Sequence, residues 1–358
     1  VTLKDALATK QLVVFLGTGG VGKTTIAAAS ALHAAASGRR TLVLTIDPAK
    51  RLADALGVKL GSEVASVRPN LDALMLDTKA ALDALVRRYA HDSATLQRIF
   101  ASRFYEQLSD AFAGSEEFVA MGTLHDLLAD GKYELIVVDT PPSRHAVEFL
   151  RVNQKLIRVY ESGVVKYLFR PTRFLRLGGG YMAQVLARWT SSEYVSEFAE
   201  FMTTFDQMFQ DMETRVRTMD AVLTDASRTS LHLVATPEEE NVVQTSRLYQ
   251  EVTSALRLPV SSCVLNRVLP PVHSRDVLTH DAAKLAERAG VAARDAQAFL
   301  HDAAIATDFY VTIASDQEKH ARRLRAALPV PMDSVPTLPG SVHDLDGLER
   351  VRAALFPP

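Results

Sequence analysis

The chain has 358 residues, 47% of them hydrophobic, and a formal net charge of -2. That is enough apolar material for a large core in one to three domains, and the near-neutral balance argues against a nucleic-acid partner, which needs a basic footprint. The single cysteine, Cys263, excludes an internal disulfide and a CxxC zinc pair. No apolar run approaches the ~20 residues that span a bilayer, and no charged-then-apolar leader opens the sequence. A cytoplasmic setting is the expectation.

In chain order, "QLVVFLG" (11–17) reads as a buried strand ending in glycine, and "TIAAASALHAAASG" (25–38) as an alanine-rich helix stopping at Gly38. Further strands are predicted in "RTLVLTIDP" (40–48), "YELIVVDTPP" (133–142), "SLHLVATP" (230–237), "PVSSCVLNRV" (259–268) and, as a short last one, "ALPVPMDSVP" (327–336). Continuous β-branched runs suit strands buried on both faces of a parallel sheet. The predicted fold class is α/β: a doubly wound, mostly parallel sheet of the P-loop NTPase type, with ligands at the carboxyl ends of its strands. Residues 78–130 and 151–222 read as helical. They are assigned to an inserted α-helical subdomain, and 1–77, 131–150 and 223–358 to the nucleotide-binding domain.

The first strand runs into "GTGGVGKTT" (17–25), which satisfies GxxxxGK[ST] with Gly17, Gly22, Lys23 and Thr24. A phosphate chain has to be wrapped by backbone N–H groups, so side chains must be absent where the loop approaches; Gly19, Gly20 and Gly22 meet that need. With Val21 and Thr25 they form the predicted cradle. Lys23 reaches the β- and γ-phosphates, and the Thr24 hydroxyl binds Mg²⁺. Asp47 and Asp139 each end a predicted strand, so both carboxylates should emerge beside this loop. Asp139 suits Mg²⁺, directly or through water, as Asp47 also could; Asp47 is otherwise free to orient or deprotonate an attacking water. The competing reading is that each aspartate caps a turn. The expected cofactors are therefore ATP and Mg²⁺.

These stretches resemble the ArsA/Get3-like deviant Walker A ATPases, relatives of the ParA and MinD ATPases. The family loop GKGGVGKT matches "GTGGVGKT", its first switch DPAHNLSDAF matches "DPAKRLADAL" (47–56), and its second switch DTAPTGHTLRFL matches "DTPPSRHAVEFL" (139–150). "VLNRVLP" (264–270) is similar to its adenine-contacting segment, with Asn266 as the matching asparagine. "VPTLPGSVHDLDGLERV" (335–351) is similar to its C-terminal loop and helix. The resemblance implies a nucleotide-gated ATPase dimer that closes over two ATP molecules and reopens on hydrolysis. It implies base contacts from Asn266, Arg267 and Pro336, water positioning by Asp47, Mg²⁺ sensing by Asp139, and a place for His145 in the switch that follows the γ-phosphate.

Two departures stand out. Thr18 replaces the lysine that in the family crosses to the partner's phosphates, a change that predicts slow intrinsic hydrolysis. Arg144, Lys50, Arg51 or a lysine donated by a paralogous partner in a heterodimer are the candidate substitutes. With Cys263 alone, neither metalloid binding nor a shared zinc fits. Apolar residues from Tyr194 through Met202, Met208 and Met212 to Val216 fall on one helix face. They form either a core helix or a groove for an apolar client helix, since methionine is adaptable. Arg170, Arg173 and Arg176 are either a solvated loop or a contact for anionic membrane lipid or an acidic client. The favoured function is a Mg²⁺-dependent ATPase whose dimer gates a client region, as homodimer or heterodimer. Two alternatives are an ATP-binding scaffold that needs a lysine-bearing partner subunit, and a ParA/MinD-like positioning ATPase.

Overall fold

The protein was analysed as a computed structural model that describes residues 1–47, 51–89, 93–101, 116–161, 211–270, 284, 286–291, 293–340 and 342–357. In chain order come α1 (Leu3–Thr9), β1 (Leu12–Gly17), α2 (Lys23–Ala36), β2 (Thr41–Thr45), α3 (Arg51–Leu56), β3 (Ala65–Arg68) and β4 (Leu71–Met75). Then come α4 (Thr78–Tyr89), α5 (Ser93–Ala101), α6 (Glu116–Asp130), β5 (Leu135–Asp139), α7 (Ser143–Glu161) and α8 (residues 211–224). The chain closes with β6 (Thr229–Ala235), α9 (Glu239–Gln250), β7 (Val260–Val268), α10 (Ala293–Ala327), β8 (Met332–Pro336) and α11 (Leu345–Leu355).

The strands form one sheet in the order β3-β4-β2-β5-β1-β6-β7-β8. All described pairings are parallel except β3 with β4. This is the doubly wound α/β architecture that the apolar runs predict. Successive side chains of a strand point to opposite faces. Val13, Phe15, Val43 and Val137 pack on one face with α1, α2 and α11, while Leu12, Val14, Leu16, Leu44 and Val138 pack on the other with α6 to α10. Both faces are covered, which is why the strands read as unbroken hydrophobic runs rather than alternating ones.

Alanine explains the seating of α2. Its buried Ala27, Ala28, Ala31, Ala34 and Ala35 let the helix lie close to the sheet and to α11. The β3–β4 hairpin at the sheet edge and the 35-residue α10 were not anticipated from the sequence. Helix α7 runs without a break from Ser143 to Glu161, across residue 150 where one expected boundary falls. Of the apolar stripe, only Met212 and Val216 belong to the described residues, and both are buried. The other stripe positions, the arginines at 170, 173 and 176, Lys50, and the side chain of Arg144 lie outside the described residues.

Candidate functional site: a phosphate loop between two strand-end carboxylates

The loop opens where β1, the central strand, ends between β5 and β6. Backbone geometry dictates its glycines. Gly20 and Gly22 have φ of 80° and 91°, in the left-handed region where a Cβ is penalised. A Cβ on Gly17 would lie 2.4 Å from the Val234 carbonyl oxygen of β6, and one on Gly22 would lie 2.3 Å from Asn266 Nδ2. Helix α2 starts on Gly22 with no side-chain cap, so its first-turn N–H groups and the positive end of its dipole are offered to whatever sits at the loop. That is the local arrangement on which anions bind.

Register places the carboxylates. Asp139 on β5 is aligned with Phe15 on β1 and with Thr45 on β2. It is fully buried. Its Oδ2 accepts hydrogen bonds from Thr24 Oγ1 at 2.7 Å and Thr45 Oγ1 at 3.1 Å. Its Oδ1 is buried with no hydrogen-bond partner. Burial pushes the Asp139 carboxyl up to about 6, against the Thr24 hydrogen bond and the charge of Lys23. An orphaned carboxylate oxygen beside a threonine hydroxyl is an oxygen-donor set suited to a hard divalent cation, so the residues present fit Mg²⁺.

Lys23 is buried, and its Nζ donates to the Thr18 carbonyl at 2.9 Å. Burial pulls its ammonium below the usual range, while Asp139 and Asp47 pull it back up. Asp47 follows β2. Its backbone N–H donates to Thr45 Oγ1 at 3.3 Å, and its carboxylate lies 3.8 Å from the guanidinium of Arg51, the first residue of α3. Thr45 therefore bridges the two acidic positions, a role that sequence reasoning missed; its only signal was a hydroxyl two residues before Asp47.

The remaining expected residues gather at the same edge. Val21 is buried, Thr25 half-buried, and Gly19 exposed. Asn266, near the end of β7, donates from Nδ2 to the Val21 carbonyl at 2.9 Å and accepts from the Arg267 N–H at 3.0 Å. Arg267 holds a φ of 59°, and Pro336 ends β8, aligned with Val268. Thr140 ties the segment after β5 to β1, donating from Oγ1 to the Phe15 carbonyl at 2.7 Å. His145 is exposed, with Nδ1 3.2 Å from Glu117 on α6. Cys263 lies mid-strand in β7, and burial pushes its thiol up to about 12.

A cavity of about 540 Å³ lies beyond the carboxyl end of β4, lined by Leu76, Met121, Leu127, Met212, Val216 and Met219. At its wall Arg88 and Arg215 both donate to Asp126, at 3.0 and 2.6 Å. Among the described residues, no helix is long and apolar enough to cross a membrane.

A mostly parallel α/β sheet whose first strand feeds GxxxxGKT into an uncapped helix defines a P-loop NTPase-like protein. Its family follows from comparison with known proteins. The sequence profile of the anion-transporting ATPase family matches residues 10–291, and the chain belongs to that family. It is 30% identical over 281 residues to ATPase ASNA1 homolog 1 of Paramecium tetraurelia, covering 75% of this chain and 79% of the relative. It is 26% identical over 290 residues to ATPase GET3 of Malassezia globosa, covering 75% of this chain and 77% of the relative. It is 28% identical over 247 residues to a putative arsenical pump-driving ATPase of Chlorobaculum tepidum, covering 66% of this chain and 56% of the relative.

Proposed function

We propose that the protein is a Mg²⁺-dependent ATP hydrolase whose nucleotide state opens and closes a dimer. The observation that carries this reading is Asp139, with one oxygen held by Thr24 and the other left without a partner inside the protein. In the proposed site the N–H groups from Gly19 to Thr25 and the Lys23 ammonium hold the phosphates. Lys23 exchanges its bond to the Thr18 carbonyl for phosphate oxygens. Thr24 and Asp139 would hold Mg²⁺, which would supply positive charge to offset that of the phosphates. Asp47 orients a water and accepts its proton. The water oxygen bonds to the γ-phosphorus as the bridge to ADP breaks, and the electron pair leaves with ADP. Asn266, Arg267 and Pro336 flank the base.

Residues 78–130 and 151–222, which the sequence predicts to be helical, are assigned to partner binding, with an apolar helix as the client class. The methionine-lined cavity supports this, because soft side chains suit variable apolar partners. The single cysteine fits a cytoplasmic setting without zinc or metalloid. A second reading, an ATP-binding scaffold with negligible hydrolysis of its own, is favoured by one observation. Thr18 is buried against its own chain and offers no charge to a partner. Turnover of ATP by the purified chain, with its mass in solution with and without a non-hydrolysable analogue, separates the two. Turnover with dimerisation supports the first; tight binding with neither supports the second.

A further inference from the structure

We propose that Asn241 is a positioning residue of the phosphate loop, fixing the loop's first turn through the hydroxyl of Thr18. The inference rests on the reading of this loop as a nucleotide site. Thr18 is 2% exposed, and its Oγ1 donates to Asn241 Oδ1 at 2.8 Å across 223 residues of sequence. The Asn241 amide is used on its other side as well. Its Nδ2 donates to Thr236 Oγ1 at 2.8 Å and to Glu238 Oε2 at 3.1 Å. A carboxamide that spends its oxygen and both N–H groups on three separate partners has no freedom to rotate.

Its place in the fold gives this clamp a target. Asn241 lies in the first turn of α9, just beyond β6, and β6 is the strand alongside β1. The clamp therefore joins the exits of two adjacent central strands. The Thr18 carbonyl is also the group on which Lys23 rests. Fixing residue 18 fixes both the path of the loop into its glycines and the resting position of the phosphate-binding lysine. A preorganised loop binds phosphate more tightly because ordering is not charged to the ligand. Helix α9 also touches α10, where Arg323 lies 3.7 Å from Glu239.

The test is a double-mutant cycle on the full chain. Thr18→Val keeps shape and removes the donor, and Asn241→Leu removes the acceptor. ATP and ADP dissociation constants are measured by calorimetry, with turnover and melting temperature alongside. Each single variant is expected to weaken nucleotide binding about tenfold, roughly the worth of one hydrogen bond. The double variant should be no weaker than either single. Thr18→Ser, which restores the hydroxyl, should bind within about twofold of the unaltered chain, a rescue judged against that single-bond scale. Where turnover is measurable, KM should rise with kcat little changed. Native affinity in Thr18→Val overturns the proposal, as do single effects that multiply in the double variant. If the unaltered chain binds no nucleotide, this proposal and the site reading both fail. If it binds without turnover, only the hydrolysis reading fails, and the dissociation constants still decide the clamp.

Discussion

Thr24 Oγ1 donates a 2.7 Å hydrogen bond to Asp139 Oδ2, joining the first turn of α2 to the end of β5. The partner oxygen of that carboxylate is buried without a hydrogen bond. Burial raises the folded-state value to about 6 from the ordinary 3.8. Without a cation, and between pH of about 3.8 and about 6, the folded protein therefore holds a proton on this carboxyl that the unfolded chain has released. Stability falls as pH rises from about 3.8 to about 6, and the full cost stands above that window. At ~1.4 kcal/mol per unit, the cost is on the order of 3 kcal/mol at neutral pH. Asp139→Asn should raise the melting temperature of the nucleotide-free protein at pH 7.5 by a few degrees and lower Mg²⁺-dependent turnover at least ~100-fold. Differential scanning calorimetry and a phosphate-release assay check the two arms. A variant that melts lower and still turns over would remove Asp139 from the site.

His232 produces the opposite slope. It is fully buried in β6, with Nε2 2.8 Å from Ser230 Oγ and Nδ1 2.7 Å from Ser262 Oγ. Burial lowers it to about 3 from 6.5. The unfolded chain binds the extra proton between those values, so stability is complete above about 6.5 and is lost as pH falls toward about 3. Between about 4 and 6 the two groups nearly cancel in the unaltered protein. In Asp139→Asn the histidine slope, ~1.4 kcal/mol per pH unit below about 6, is no longer offset by that carboxyl. Urea titrations at pH 7.5, 5.5 and 4.5 should show the variant weakening faster with acid than its parent. Adding His232→Phe should flatten it again.

Asp47 and Arg51 allow a division between chemistry and surface charge. Their pair is 3.8 Å long, and the Arg51 side chain is 66% exposed, so the pair itself contributes at most about 1 kcal/mol. Asp47→Asn is expected to lower kcat about 10²–10³-fold with ATP affinity nearly kept, the loss typical of a general base. Arg51→Ala should leave stability within about 1 kcal/mol. A normal kcat in Asp47→Asn would return this aspartate to a turn-capping role.

Gly22 and Gly38 make a matched pair, since both have a φ of 91°. A Cβ at Gly38 meets nothing within 4 Å, whereas one at Gly22 lies 2.3 Å from Asn266 Nδ2, the group that holds the Val21 carbonyl. Gly38→Ala should cost only the left-handed penalty of about 1 kcal/mol. Gly22→Ala should cost more and weaken ATP binding more than tenfold, because one more hydrogen bond of the loop is broken. Thermal melts and calorimetric titration of both variants check this.

The candidate site was legible where its residues are local in sequence. The loop's spacing, the lysine and the strand-end aspartates sit in short windows, and buried parallel strands announce themselves by continuous apolar runs. Thr45 and Asn241 escaped because their partners lie 94 and 223 residues away, and register alone brings them together. The β3–β4 hairpin escaped for a different reason. "ASVR" is an edge strand, alternately half-buried and exposed, and "LDALM" carries an aspartate that breaks the apolar run. Helix α10 exposes Phe299, Ile305 and Phe309, so its pattern reads neither as a clean amphipathic stripe nor as a core helix.

The most direct test is steady-state ATP turnover by the purified chain, with Mg²⁺ and with the metal chelated, beside Lys23→Ala as the control. The account predicts phosphate release that needs Mg²⁺ and disappears in Lys23→Ala. Turnover that persists in the variant or without the metal, or tight Mg²⁺-ATP binding with no release at all, would contradict it.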